Sequence, residues 1–155
     1  MKQLTDALLD DLVLQAQHSP RLRANSNLHE ALADPVQRLA IAMEPDTFVR
    51  PHRHPQTWEM LTALRGRFVV LFFDDAGVVT QRAVLGDVCR VIEFPANTWH
   101  AVLSLDEGGV IFEVKQGPYK PLGQGDFAPW CDAVEGAAAA RVNAWYARAQ
   151  VGDRL

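Results

Sequence analysis

Apolar positions change their period twice along the chain. In residues 5–18, Leu8, Leu9, Leu12, Val13 and Ala16 recur at helical spacing and predict a helix with one apolar stripe. Thr5 is placed to cap it, Leu4 and Leu9 sit at the hydrophobic staple positions, and Pro20 stops it. Asp6 suits the positive end of the helix dipole and His18 the negative end. Residues 21–35 have no clear period and are rich in hydrogen-bonding groups, among them Arg21, Arg23, Asn25, Asn27 and His29. Two readings stand for this segment: a solvated polar connector with Asn-based turns, or an anion-gripping loop folded against the domain.

From residue 36 the texture becomes that of strands. Short runs rich in Val, Ile, Phe, Leu and Thr alternate with Pro, Gly, Asp and Asn breaks. Strands are expected at 36–43, 47–54, 58–64, 68–73, 78–84, 89–94, 99–105 and 110–115. Short strands recurring at about ten residues, with no helical pattern between them, predict an antiparallel sandwich or small barrel. After the alanines at 137–140, Val142, Trp145, Tyr146 and Ala149 recur on one face and predict a second helix packed on the sheet or at an interface. The whole is read as one domain: an N-terminal helix (1–20), a polar connector (21–35), a β core (36–118) and a C-terminal extension with a helix (119–155).

Composition narrows the function classes. With 155 residues, 48% of them hydrophobic, the chain can bury a core without structural disulfides. Its net charge of -4 argues against nucleic acid as a partner. Cys89 and Cys131 stand far apart with no CxxC or CxxH partner, and read as ordinary thiols of a reducing compartment. The first residues lack a basic stretch followed by an apolar one, and no run is long enough to span a membrane. The expectation is a cytoplasmic protein. Apolar faces on both terminal helices, and the frequency of two-fold symmetry, predict a homodimer.

Three histidines in the β region carry the candidate chemistry. His52 and His54 are two apart on an expected strand, so both imidazoles leave one face while Arg53 leaves the other. Pro51 and Pro55 bracket them, as fits a strand end or sheet edge. Glu59 follows in the next strand, and His100 opens a later one after Pro95-Ala96-Asn97-Thr98-Trp99. Three imidazoles and one carboxylate suit one divalent transition metal, Fe, Mn, Ni, Co or Zn, rather than calcium.

His52-x-His54-x4-Glu59-x6-Gly66 matches the first cupin motif at every spacing, and Gly86 to Pro95-x-Asn97-x2-His100 is similar to the second. Asn97 stands where that pattern commonly has Gly, and Asn is the next-best residue for a left-handed turn. The chain therefore resembles the cupin superfamily, which implies a jelly-roll barrel and metal ligation by His52, His54, Glu59 and His100. Within it, the chain resembles the WbuC-type cupin-fold metalloproteins associated with bacterial O-antigen and surface-polysaccharide gene clusters. That resemblance rests on Arg23-x-Asn25-x-Asn27-x-His29, Val36-Gln37-Arg38-Leu39, Pro51-His52-Arg53-His54, Glu113-Val114-Lys115-x-Gly117-Pro118-Tyr119 and Asp126-Phe127-Ala128-x-Trp130.

Further residues have two readings each. Val110, Phe112 and Val114 alternate with Ile111, Glu113 and Lys115, so one face of that strand is core. Glu113 and Lys115 are then either an outward, solvated pair or an acid/base and anion-anchoring pair in the barrel mouth. Arg23, Asn25, Asn27, His29, Arg50 and Tyr119 are candidates for contact with a small polar or anionic ligand. For Arg50 and Arg53 the alternative is a solubilising role, and for His29 a satisfied structural one. Trp58 and Trp99 each precede a proposed ligand and are expected to face the core. The function classes left open are a metalloenzyme acting on a small sugar-type substrate (isomerase, epimerase, lyase or, with Fe(II), dioxygenase), a non-catalytic metal-dependent binding module, and a purely structural metal site.

Overall fold

The computed structural model describes residues 1–155. In chain order the elements are α1 (Asp6–His18), β1 (Arg23–Asn27), β2 (Val36–Met43), β3 (Glu59–Arg65), β4 (Phe68–Phe73), β5 (Val79–Leu85), β6 (Val91–Phe94), β7 (Trp99–Ser104), β8 (Gly109–Gln116) and α2 (Gly136–Arg148), with a short 3-10 turn at Gln124–Asp126. Two antiparallel sheets result, one ordered β1-β2-β8-β3-β6 and the other β5-β4-β7. This is the mainly β, antiparallel architecture that the strand pattern predicts, in the jelly-roll form that the motif resemblance implies.

The helices cover the outer faces of the sheets. Leu9, Leu12 and Ala16 of α1 pack with Ala40, Ala42 and Val110 on the outside of the five-stranded sheet. Thr5 caps α1, its Oγ1 accepting from the Leu8 N–H at 3.3 Å. On the other side, Ala139, Ala149 and Tyr146 belong to the α2 region, and the latter two pack with Val69, Leu71, Phe73, Trp99, Ala101 and Leu103. Between the sheets lie Phe68, Val70, Phe72, Leu61, Phe94, Val102 and Ile111. Every residue of β4 and of β7 is consequently buried, with alternate residues in different clusters. Both helix faces that suggested a homodimer are thus used within the chain.

The strand count agrees with the expectation, but its membership does not. Residues 47–54 form no strand; only His52 makes isolated bridges, to His100 and to Phe127. The physical reason is local: Pro51 and Pro55 have no N–H to donate, so the segment cannot sustain a ladder. The missing strand is replaced by β1, which lies within the segment expected to be a connector and pairs along its whole length with β2. Its Arg-x-Asn-x-Asn side chains hide the alternation that would have marked it as a strand.

Strand β8 decides between the two readings of Glu113 and Lys115. The expected core face, Val110 and Phe112, lies under α1, while Ile111 on the opposite face packs between the sheets. Both faces are covered, so Glu113 and Lys115 face the interior of the sandwich and not open solvent; their side chains are 13% and 15% exposed. Gly66 and Gly86 adopt positive φ values of 68° and 87°, the conformation for which the motif glycines are needed. Asn97 has φ 66°, so it fills the position of the more usual glycine in the same left-handed turn.

Candidate metal centre

His52, His54 and His100 come together through backbone pairing of two segments far apart in sequence. The His52 N–H donates to the His100 carbonyl at 3.0 Å, and the His100 N–H returns to the His52 carbonyl at 2.9 Å. The Asn97 N–H, held outward by its left-handed turn, donates to the His54 carbonyl at 2.8 Å. On its other side the histidine segment is pinned by the C-terminal extension: Arg53 N–H to Asp126 O at 2.9 Å and Ala128 N–H to Pro51 O at 2.9 Å. One potential ligand atom from each of the three imidazoles lies within 4.8 Å of the others. Arg53 leaves the opposite side, its guanidinium 4.3 Å from the Trp99 ring, and Trp99 packs into the cluster under α2.

The tautomers follow from the hydrogen bonds. His52 Nδ1 lies 2.9 Å from the Arg50 carbonyl, and His100 Nδ1 lies 2.9 Å from the Thr98 carbonyl. A carbonyl only accepts, so Nδ1 carries a proton in both rings and Nε2 is the atom turned toward the cluster. Burial, reinforced by His100, lowers the His52 pKa to about 3. Burial also lowers His54 to about 4, against the pull of Glu59. Both rings are therefore neutral at neutral pH, as a ligand must be.

Glu59, on β3, is 2% exposed. Its Oε1 lies 3.0 Å from His54 Nε2 and its Oε2 3.2 Å from His100 Nε2. Burial would raise its pKa, but contact with His100, then His54 and Lys115, outweighs this and holds it down at about 2. Glu59 Oε1 is buried and accepts no hydrogen bond. At Oε2, a carboxylate oxygen faces the Nε2 of a ring whose Nδ1 proton goes to the Thr98 carbonyl, so either a second proton or a metal ion on Nε2 closes the contact. Ligand atoms about 2.1 Å from a common ion would stand roughly 3–4 Å apart, a spacing the Glu59 contacts to His54 and His100 already have, and three imidazoles with one carboxylate suit a transition-metal ion.

Beside this cluster, Lys115 Nζ lies 2.7 Å from Glu113 Oε1 and 3.6 Å from Glu59 Oε1. Burial lowers the Lys115 pKa, but Glu113 and Glu59 outweigh it and the net shift is upward. Burial, with the charge of Glu59, raises Glu113.

The other candidate residues are not gathered at the cluster. His29 is buried, with its Nδ1 accepting from the Arg38 N–H at 3.0 Å. The Arg50 guanidinium donates to the Ala128 carbonyl at 3.2 Å and lies 5.3 Å from the Phe127 ring, so Arg50 serves the centre through its main-chain carbonyl. Tyr119 is 46% exposed, with its N–H on the Leu32 carbonyl. Arg23, Asn25 and Asn27 lie on β1, at the sheet edge. Sequence reasoning missed Phe94, whose ring centroid is 4.7 Å from that of His100 and which stands opposite Glu59 across the β3–β6 ladder. Nothing distinguishes it from any other strand phenylalanine in the sequence.

Residues 4–85 match a family described as a domain of unknown function, DUF6016. No curated protein matches the chain. Among solved structures, TT1209 from Thermus thermophilus is similar with a TM-score of 0.54 and 19% identity, over 74% of this chain and 97% of that one. KdgF from Halomonas sp. gives 0.50 and 16% identity over 66% of this chain and 85% of that one. Bacillus subtilis oxalate decarboxylase, a protein with Mn(II) centres, gives 0.50 and 16% identity over 69% of this chain but 28% of that one. At these identities the likeness establishes the fold, which is of the cupin type. No helix is long and apolar enough to cross a membrane.

Proposed function

The chain belongs to the DUF6016 family, and we propose that it is a metalloenzyme holding one divalent transition-metal ion on His52, His54, Glu59 and His100. The observation carrying this reading is the convergence of three imidazole ligand atoms within 4.8 Å of one another, with the buried Glu59 carboxylate 3.0 Å from His54 Nε2 and 3.2 Å from His100 Nε2. Three imidazoles and a carboxylate converging on one point are a donor set for a divalent transition-metal ion. The Mn(II) centres of oxalate decarboxylase, on a similar fold, support the same class of ion.

The substrate is small and polar, of sugar type, and the resemblance to WbuC-type proteins supports a place in surface-polysaccharide metabolism. A bound divalent ion supplies Lewis acidity toward substrate oxygens. The chain's own residues do the rest. Lys115, kept charged between Glu113 and Glu59, anchors an anionic or developing negative oxygen. Glu113, whose pKa is raised, holds or moves a proton at its carboxyl for isomerase, epimerase or lyase chemistry. The Phe94 ring packs against His100 and excludes water from that side.

The deciding experiment is metal analysis of anaerobically purified protein beside a His52→Ala/His54→Ala double variant. One equivalent of a transition metal is expected in the native protein and almost none in the variant. Equal metal content in the two proteins overturns the assignment.

A further inference from the structure

Helix α1 closes the outer face of the five-stranded sheet over Ala40, Ala42 and Val110. Beyond the part that α1 seals, this face continues across β8, β3 and β6. Residues directly opposite in an antiparallel ladder share a face, so the register identifies the side chains that stand there. One row runs Arg38, Val114, Met60 and Glu93 across β2, β8, β3 and β6. Val91 of β6 lies on one side of that row. On the other side are Val36 and Gln116, with Trp58 just ahead of β3, its carbonyl accepting from the Gln116 N–H at 3.2 Å.

This face is unfinished. The inward neighbours Glu59, Leu61 and Phe94 are buried, whereas Trp58, Met60 and Val114 are half-buried and Val36 and Val91 are 37% and 54% exposed. None of these five apolar side chains belongs to any of the three hydrophobic clusters. An apolar sheet face is completed by a further layer, and both helices are engaged elsewhere.

The charges indicate which layer fits. The apolar strip ends in a cation at Arg38 and in a carboxylate at Glu93, three strand intervals or about 14 Å apart. The Arg38 side chain is 44% exposed, with Asp34 at 3.6 Å. Glu93 is exposed and joins no ion pair within its own chain. A strip with opposite charges at its two ends is complementary to itself. A two-fold axis parallel to the strands, between β8 and β3, stacks β8 on the β3 of a second copy and β2 on its β6. Every row then stays in place. Arg38 meets the second copy's Glu93, Val114 meets its Met60, and Gln116 offers an acceptor to its Trp58 indole N–H, each contact occurring twice. Aligned sheets pack about 10 Å apart, within reach of these side chains.

We propose that this outer face joins two copies of the chain in a symmetric dimer, through the strip Arg38–Val114–Met60–Glu93. The surface lies on the opposite side of the sheet from Glu59, and the dimer does not depend on the metal reading.

The test is sedimentation equilibrium of the full chain, as purified, from about 1 μM to about 100 μM. The native protein is expected to dimerise within this range. Met60→Glu places a charge in the apolar strip and is expected to raise the dissociation constant at least roughly tenfold. Arg38→Glu and Glu93→Arg each set like charges against one another at both ends and are expected to sediment as monomers. An equimolar mixture of those two variants re-forms both opposite-charge pairs and is expected to dimerise as the native protein does. A folding defect would not be repaired by mixing. Far-ultraviolet circular dichroism and metal content of the charge variants stay at native values. A native chain that is monomeric throughout, a dimer indifferent to the three substitutions, or a mixture that stays monomeric overturns the proposal.

Discussion

A buried carboxylate in contact with two imidazoles makes Glu59 the residue on which the centre turns. In the metal-free protein its surroundings hold that carboxylate down at about 2, while His52 and His54 sit at about 3 and about 4 against an ordinary 6.5. The unfolded chain therefore binds more protons than the native one at mildly acidic pH. Stability of the metal-free form is full above about pH 6.5 and falls as pH drops toward 4 and then 3, by up to about 1.4 kcal/mol per pH unit for each histidine. Glu59 adds to the loss in the same direction below its unfolded value of 4.5. Urea titrations between pH 7 and pH 4, with chelator present, measure this slope; a flat profile contradicts it. Lys115→Met should cost about 3–5 kcal/mol by the same titration at pH 7, because it leaves Glu113 and Glu59 buried beside each other without their shared cation. Combining it with Glu113→Gln should recover part of that loss. At this scale His52, His54, Glu59 and His100 were legible as a set from motif spacing. The inward orientation of Glu113 and Lys115 was not, because alternation on β8 reports two faces without saying that both are covered.

Elements bring these residues together more by what covers them than by their own propensity. Leu12 of α1 is 3% exposed and seals the outer face of the sheet that bears Glu59, Glu113 and Lys115. Leu12→Ala is expected to destabilise the fold by about 3 kcal/mol, read from denaturant midpoints, while metal content stays at its native value. Gly86→Ala should be worse tolerated than an alanine at an ordinary loop glycine, since φ is 87° there and a Cβ would collide with the Gly66 carbonyl. The histidine segment shows the limit of pattern reading. Period-2 spacing correctly placed His52 and His54 on the side opposite Arg53, yet the segment is held by bridges to His100 and Phe127 and not by a strand ladder. The converse holds for β1, whose polar side chains mask its pairing with β2 until the fold supplies the partner.

For the molecule as a whole, the cluster joins β3, β7 and the histidine loop that precedes β3, so an ion held there would add to stability as well as make a site. Chelation should lower the melting temperature of the native protein and leave that of His52→Ala/His54→Ala unchanged. Restoring metal at about a hundred times its dissociation constant should return about 2.7 kcal/mol to the native protein. Read alone, the sequence determined the β-rich class, both helices, the turn positions and which imidazoles and carboxylate gather in one place, because these depend on local periodicity, on turn chemistry and on residue type at fixed spacing. Tertiary structure alone decided which strand completes the large sheet, which face of β8 looks inward, and which of the polar candidates lie near the centre. Those depend on partners distant along the chain: hydrogen bonds from 97, 100 and 126–128 aim the histidines, and the two helices determine which surfaces are left to face each other.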